Sequence, residues 1–197
     1  MSEPQTDVGQ AVRERAARLL METQPALPLT LGDAREVVRF LRPRRVGAGT
    51  CLMRAGDASH TDFMVLVIDG EVRVENHAHA ADEGMVVTVL GPGSLIGAMG
   101  LIDGAARSAT CVATTDLAVG VLTRVALLDL IRERPDVGAK LLLTIAKQLA
   151  DDLREANRKL VTLTQVGRAQ QQELDAVHAV NRRLIEAQTQ GRVPPVA

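Results

Sequence analysis

Apolar residues first recur at helical spacing. Val8, Ala11, Val12, Ala16, Leu19 and Leu20 stand on one face, with Arg and Glu between them, which predicts a helix over 8–22. Pro25 and Pro28 end it. A second, short helix follows. Thr30 is its expected cap, Asp33 stands three residues on, and Val37, Val38, Phe40 and Leu41 supply its apolar positions. From Arg42 to about Arg124 the period changes. Residues 50–53, 63–74, 85–90, 109–112 and 117–122 are short apolar runs rich in β-branched residues, separated by Gly, Asp or Pro. Short strands punctuated in this way predict an all-β sandwich or roll.

After Arg124 the pattern is helical again. Residues 125–133 predict a short helix stopped before Pro135, and a long one can begin at Pro135 and run to about Gln190. Leu142, Ile145, Leu149, Leu153, Ala156, Leu160 and Leu163 follow each other by threes and fours. The spacing resumes at Gln170, Leu174, Val177, Asn181, Leu184 and Gln188. Near-continuous heptads predict a coiled coil, on the order of 80 Å long if unbroken. Gly167 falls on the seam, where it costs about 1 kcal/mol relative to Ala, and a kink or break is expected there. Packing of the first part against its own β-roll is the competing use of this helix. A mixture, one side on the roll and the other on a partner, satisfies both. The domain boundaries expected are 1–40 for an N-terminal helical segment, 41–134 for the roll, 135–190 for the long helix, and 191–197 for a disordered tail.

Composition narrows the function classes. Nearly half of the 197 residues are apolar, yet there are two Phe, no Trp and no Tyr. The core is therefore aliphatic, and aromatic stacking platforms for bases or sugars are not expected. A formal net charge of −1, with basic and acidic residues interleaved, gives no global field toward nucleic acid or an anionic membrane. No basic-then-apolar start and no apolar run of about 20 residues suggests export or a membrane span, so a cytoplasmic location is expected. Cys51 and Cys111 match no metal-ligand spacing and read as buried thiols.

The segment richest in chemistry runs from Gly93 through Ser94, Leu95, Ile96 and Gly97 to Arg107, Ser108 and Ala109. Gly97 ends a strand and frees the backbone to turn. Residues 98–102 can form one helical turn whose leading N–H groups lack internal partners. Arg107 follows the small residues Gly104, Ala105 and Ala106. A guanidinium beside free amides is suited to a phosphate, and a solvated surface arginine is the plain alternative.

The Arg54–Asp57 turn (Arg-Ala-Gly-Asp), Asp69-Gly70-Glu71-Val72, the glycine-rich run from Gly91 to Gly97, Arg107-Ser108-Ala109 and Arg134-Pro135-Asp136 occur in the order seen in one family. From about Leu41 to Leu160 the chain resembles the cyclic-nucleotide-binding domain of the catabolite activator protein family. The resemblance implies a mainly β, cupin-like jelly roll with flanking N-terminal helices and a long C-terminal dimerisation helix. It implies that Arg107 and Ser108 hold a cyclic phosphate, with backbone help from Gly97, Ala98 and Met99. Val74, Val87, Leu90 and Ala109, with Asp152 and Leu153 from the long helix, fall where the family lines its base and ribose pocket. The chain departs from the pattern at Ala98, where the family places a glutamate that binds the ribose hydroxyl. Its loss removes a hydrogen bond worth about 1.5–3 kcal/mol. At Asp152 the family offers a hydroxyl to the base.

Three ligand states follow: cyclic AMP or cyclic GMP bound weakly, a cyclic dinucleotide, or a roll that has lost its ligand and serves as a dimeric scaffold. The several short helices of a helix-turn-helix domain are not expected after Leu160, so a protein partner rather than DNA is the expected recipient of the signal. A homodimer through the long helix is expected, with no membrane and no cofactor. His77, His79 and Glu83 have the spacing of part of a cupin metal-binding motif. Strand alternation favours a solvated hairpin, with Val72 and Val74 facing one way and Arg73, Glu75, His77 and His79 the other. Ser94, Ser108 and the two cysteines have no base arranged for nucleophilic catalysis, so a non-enzymatic regulator is expected.

Overall fold

The computed structural model describes residues 5–22, 29–76 and 85–190. Two helices open the chain, α1 (Gln5–Glu22) and α2 (Leu31–Arg39). Eight strands follow: β1 (Arg42–Val46), β2 (Cys51–Met53), β3 (Phe63–Asp69), β4 (Val72–Asn76), β5 (Met85–Leu90), β6 (Leu95–Ile96), β7 (Thr110–Ala113) and β8 (Leu117–Thr123). A six-residue helix, α3 (Ala98–Asp103), stands between β6 and β7. After β8 come α4 (Arg124–Glu133) and α5 (Pro135–Gln190). The strands form two antiparallel four-stranded sheets in the orders β1-β8-β3-β6 and β2-β7-β4-β5, so the predicted roll with flanking helices is present.

The strand boundaries differ from expectation in ways that packing explains. The single run 63–74 is two strands in different sheets, joined by a turn at Asp69-Gly70. Its uninterrupted apolar character arises because β3 is covered on both faces. Met64, Leu66 and Ile68 enter a core shared with the helices, while Val65 and Val67 enter the interior between the sheets. β1 (Arg-Pro-Arg-Arg-Val) carries no apolar alternation and was not expected as a strand. It pairs with β8 from Arg42↔Val121 to Val46↔Leu117 as an edge strand, where exposed arginines and a proline are tolerated. Cys51, expected to be buried, is exposed because β2 is also an edge strand; Cys111 on the neighbouring β7 is buried as expected.

The helix-side core joins all five helices to the outer face of β3. Ala16, Ala17 and Leu20 of α1, Val37 of α2, Leu101 of α3, Leu130 of α4 and Val137, Leu141 and Ile145 of α5 are all fully buried in it. The expected capping of α2 is present as a reciprocal box. Thr30 N–H donates to Asp33 Oδ2 at 3.0 Å, and Asp33 N–H donates to Thr30 Oγ1 at 3.2 Å. Asp33 has a further partner that lies 107 residues away: Lys140 Nζ of α5 at 2.7 Å.

The chain divides into two compact units, Met1–Leu149 and Ala150–Ala197. The division falls within α5 rather than at its start, because the turns up to Leu149 contribute to the helix-side core. α5 continues without interruption through Gly167, where a break was expected. In the second unit the seam residues Leu153, Leu160, Leu174 and Val177 are each more than half exposed.

The Asp33–Lys140 pair makes a testable contribution. Burial alone would raise the Asp33 pKa, but the hydrogen bonds from Lys140 and Thr30 outweigh it and hold the carboxyl below its ordinary value of 3.8. A carboxylate with a depressed pKa stabilises the fold above its unfolded pKa, and that contribution is lost as pH falls through the folded value. Asp33→Ala is expected to cost about 2 kcal/mol at pH 7, combining a lost cap with an unpaired partner. The deficit should shrink in urea denaturation repeated at pH 3. An equal deficit at both pH values would contradict this account.

Candidate functional site

Arg107 stands in the loop between α3 and β7, and its backbone is stitched to the Arg54–Asp57 turn. Gly56 N–H donates to Arg107 O at 2.8 Å, and Arg107 N–H donates to Asp57 O at 2.9 Å. This explains why that turn, singled out in the sequence, belongs with a segment fifty residues later. Thr61 Oγ1 adds a hydrogen bond to Gly104 O at 3.0 Å. Beside it, Asp57 Oδ1 accepts from Ser59 N–H at 2.8 Å and Ser59 Oγ at 2.6 Å, and these bonds hold the Asp57 carboxyl below its usual value.

Arg107 is only 6% exposed. Its guanidinium donates to three backbone carbonyls. Nε and Nη2 reach His60 O at 3.2 and 2.9 Å, Nη2 also reaches Phe63 O at 2.9 Å, and Nη1 reaches Gly97 O at 3.1 Å. The Phe63 ring lies against it, with its centroid 4.5 Å from Cζ, in cation–π contact. Among the described residues, no carboxylate forms an ion pair with it. Burial lowers the Arg107 pKa; Cys111, Asp57 and Asp62 act in the opposite direction from longer range. Arginine nonetheless stays charged at any relevant pH. The site is thus a buried cation compensated by carbonyl dipoles, with four of its five N–H groups engaged. The expectation of a guanidinium beside free amides is replaced by one clasped by acceptors.

The surrounding residues leave little room. Gly97 caps α3 in the left-handed region at φ 82°. A Cβ there would lie 2.7 Å from Arg107 Nη1 and 2.6 Å from Met53 Cε. At Gly100 a Cβ would lie 2.9 Å from both Arg107 Nη1 and Thr61 O. Met53, Phe63 and His60 therefore belong to the site, and sequence reasoning did not single them out. Each acts through contacts or a carbonyl that no side-chain motif encodes. Cys111 is buried nearby with its thiol pushed up to about 11, first by desolvation and then by Cys51.

The expected site residues are distributed as follows. Gly97 and Arg107 meet directly. Ala98 is buried, but it packs in the helix-side core, so the position that carries a glutamate in the family is here part of an apolar cluster. Met99 and Ser108 are exposed, and Ala109 is half-buried. Val74 and Leu90 pack on the cluster between the sheets. Val87 lies in β5, and its side chain falls outside the described residues. Asp152 and Leu153 stand in the second unit, both exposed. His77, His79 and Glu83 lie outside the described residues. Among the described residues, no group of His, Cys, Asp or Glu could hold a metal.

The sequence profile described as cyclic nucleotide-binding domain matches residues 43–134. Residues 43–134 belong to that family. The matched stretch contains all eight strands except the first residue of β1, together with Arg107 and its three carbonyl partners. A cyclic AMP receptor protein from Thermus thermophilus is 35% identical over 141 residues, which are 70% of this chain and 62% of the relative. A cyclic nucleotide-gated potassium channel from Rhizobium etli is 39% identical over 98 residues, 48% of this chain and 25% of the relative. This chain thus spans less than two thirds of either relative. A crystal structure of a cyclic nucleotide-binding domain from Methylobacillus flagellatus superposes with a TM-score of 0.65 at 25% identity, covering 76% of this chain and 82% of that one.

The close approach at Gly100 gives a direct test of the clasp in this cyclic nucleotide-binding domain. Gly100→Ala should lower stability by about 1–3 kcal/mol in urea denaturation, since one of the two atoms in the way is a backbone carbonyl that cannot swing aside. A neutral outcome would mean that Gly100 does not approach the Thr61 carbonyl and the Arg107 guanidinium as closely as these distances place it.

Proposed function

We propose that this protein is a non-enzymatic cytoplasmic sensor that binds a cyclic nucleotide, cyclic AMP or cyclic GMP, through the cassette around Arg107. It signals through a dimer of its long helix to a protein partner. The observation that carries this reading is the state of Arg107: a buried cation with no carboxylate partner among the described residues, enclosed by the cassette that the family uses for its ligand. A phosphate would offer this guanidinium a full negative charge in place of carbonyl dipoles, and charge-assisted bonds are about twice as strong as neutral ones. Part of that gain is offset, because hydrogen bonds to His60, Phe63 and Gly97 must be given up. Together with Ala98 in place of the glutamate, this supports weak binding.

The occupied clasp also supports a second reading, a dimeric scaffold whose roll takes no ligand. Calorimetric titration with cyclic AMP, cyclic GMP and cyclic dinucleotides separates the two. Heat is expected from a cyclic mononucleotide on the wild type, with affinity falling at least about tenfold in Arg107→Glu, equivalent to 1.4 kcal/mol. A response to cyclic dinucleotides alone would reassign the ligand, and silence from every compound leaves the scaffold.

The dimer rests on the second unit of α5. Leu153, Leu160, Leu174 and Val177 are 52–62% exposed on one heptad seam. An isolated helix gains little from such residues without a partner. The heptad spacing of these residues makes a second copy of the same helix their natural cover. Truncation after Ala150 is expected to convert a dimer to a monomer in light scattering. A truncated chain that stays dimeric would move the interface elsewhere.

A further inference from the structure

The short helix α3 is held at both ends by guanidinium groups of different origin. At its N-terminal end Arg107 reaches Gly97 O. At its C-terminal end Arg124 Nη2 donates to Gly100 O and Nε donates to Leu101 O, both at 2.8 Å. Arg124 is the first residue of α4, directly after the Thr123 cap, and its own N–H donates to Asp62 O at 2.7 Å. A second tie reaches the cassette from α5: Gln148 Nε2 donates to Leu95 O at 2.9 Å, on the strand that leads into α3.

These ties differ in kind from the apolar contacts beneath them. Ala98 and Leu101 pack with Leu127 and Leu130 of α4 and with Val137 and Leu141 of α5. Such contacts are non-directional, and α3 could slide over them. A planar fork that bonds two successive carbonyls fixes both the rotation and the axial position of the helix end. Because Arg124 opens α4, a shift of α3 cannot occur without either dragging that helix terminus or breaking two charge-assisted bonds.

We infer that Arg124 is a positioning residue that transmits movement of the cassette helix to α4 and the first turns of α5. The inference rests on the sensor reading above. When Arg107 turns toward a phosphate, Gly97 O keeps the Leu101 N–H bond and loses the guanidinium. α3 is then released at one end and held at the other. Arg124 sets which helices follow it. A ligand moves this equilibrium only through its differential affinity for the two arrangements.

The test compares amide hydrogen exchange of the full chain with and without cyclic AMP and cyclic GMP, alongside calorimetry. In the wild type, the nucleotide that gives heat should change exchange rates in 97–104 and, by about fivefold or more, in 124–149. In Arg124→Gln the response of 97–104 should remain and that of 124–149 should be lost. A purely structural role would lower stability without separating the two responses. Arg124→Lys keeps a cation but cannot fork, and should transmit only in part; it decides the matter if the Gln variant does not fold. Full transmission in either folded variant overturns the role of Arg124 and leaves the sensor intact. No heat and no cassette response in the wild type overturns the sensor reading, and this inference with it.

Discussion

A guanidinium taken out of water must be compensated where it lies, and in this roll the compensation comes from the main chain. Arg107 is almost wholly buried, yet its partners are the carbonyls of His60, Phe63 and Gly97. Carbonyl dipoles satisfy its donors without neutralising its charge. The local architecture follows from that requirement. The 54–57 turn pairs with the backbone of Arg107, Thr61 ties down Gly104, and Phe63 presents its ring face. Gly97 and Gly100 lack side chains because the guanidinium occupies the space a Cβ would fill.

The same geometry places the site between two cores. Toward the interior it borders the cluster of Met53, Val65, Ile96 and Cys111; toward the helices, Ala98 and Leu101 belong to the cluster that α4 and α5 complete. β3 connects them, feeding alternate side chains into each. A change at Arg107 therefore has immediate neighbours in the helix-side core, within the first compact unit. The cost of the arrangement is that the resting cation is already well satisfied. An anion gains only the difference between its own bonds and those it displaces.

Much of this was legible in the order of residues along the chain. The capping box of α2, the short turn after Gly97 and the start of α5 at Pro135 are local patterns, and each lies where expected. The roll was readable from short β-branched runs, and its family from the cassette motifs. The strand β1 was not, because an edge strand rich in arginine carries no alternation. Nor was the exposure of Cys51, which depends on which strand lies at the edge of a sheet. The partners of Arg107 were illegible for a different reason: backbone carbonyls have no sequence signature.

The sequence by itself determined the periodicities, the caps and the residues available for an anion site, since these depend on contacts within a few positions of one another. Tertiary structure decided what those residues touch. It buried Ala98 among helix residues, turned the guanidinium onto carbonyls, and joined Asp33 to Lys140 and Arg124 to α3 across long stretches of chain. The physical reason is that a side chain's charge and shape are intrinsic to it. Its partners are set by which segments the two sheets and the helix-side core bring to within hydrogen-bonding distance.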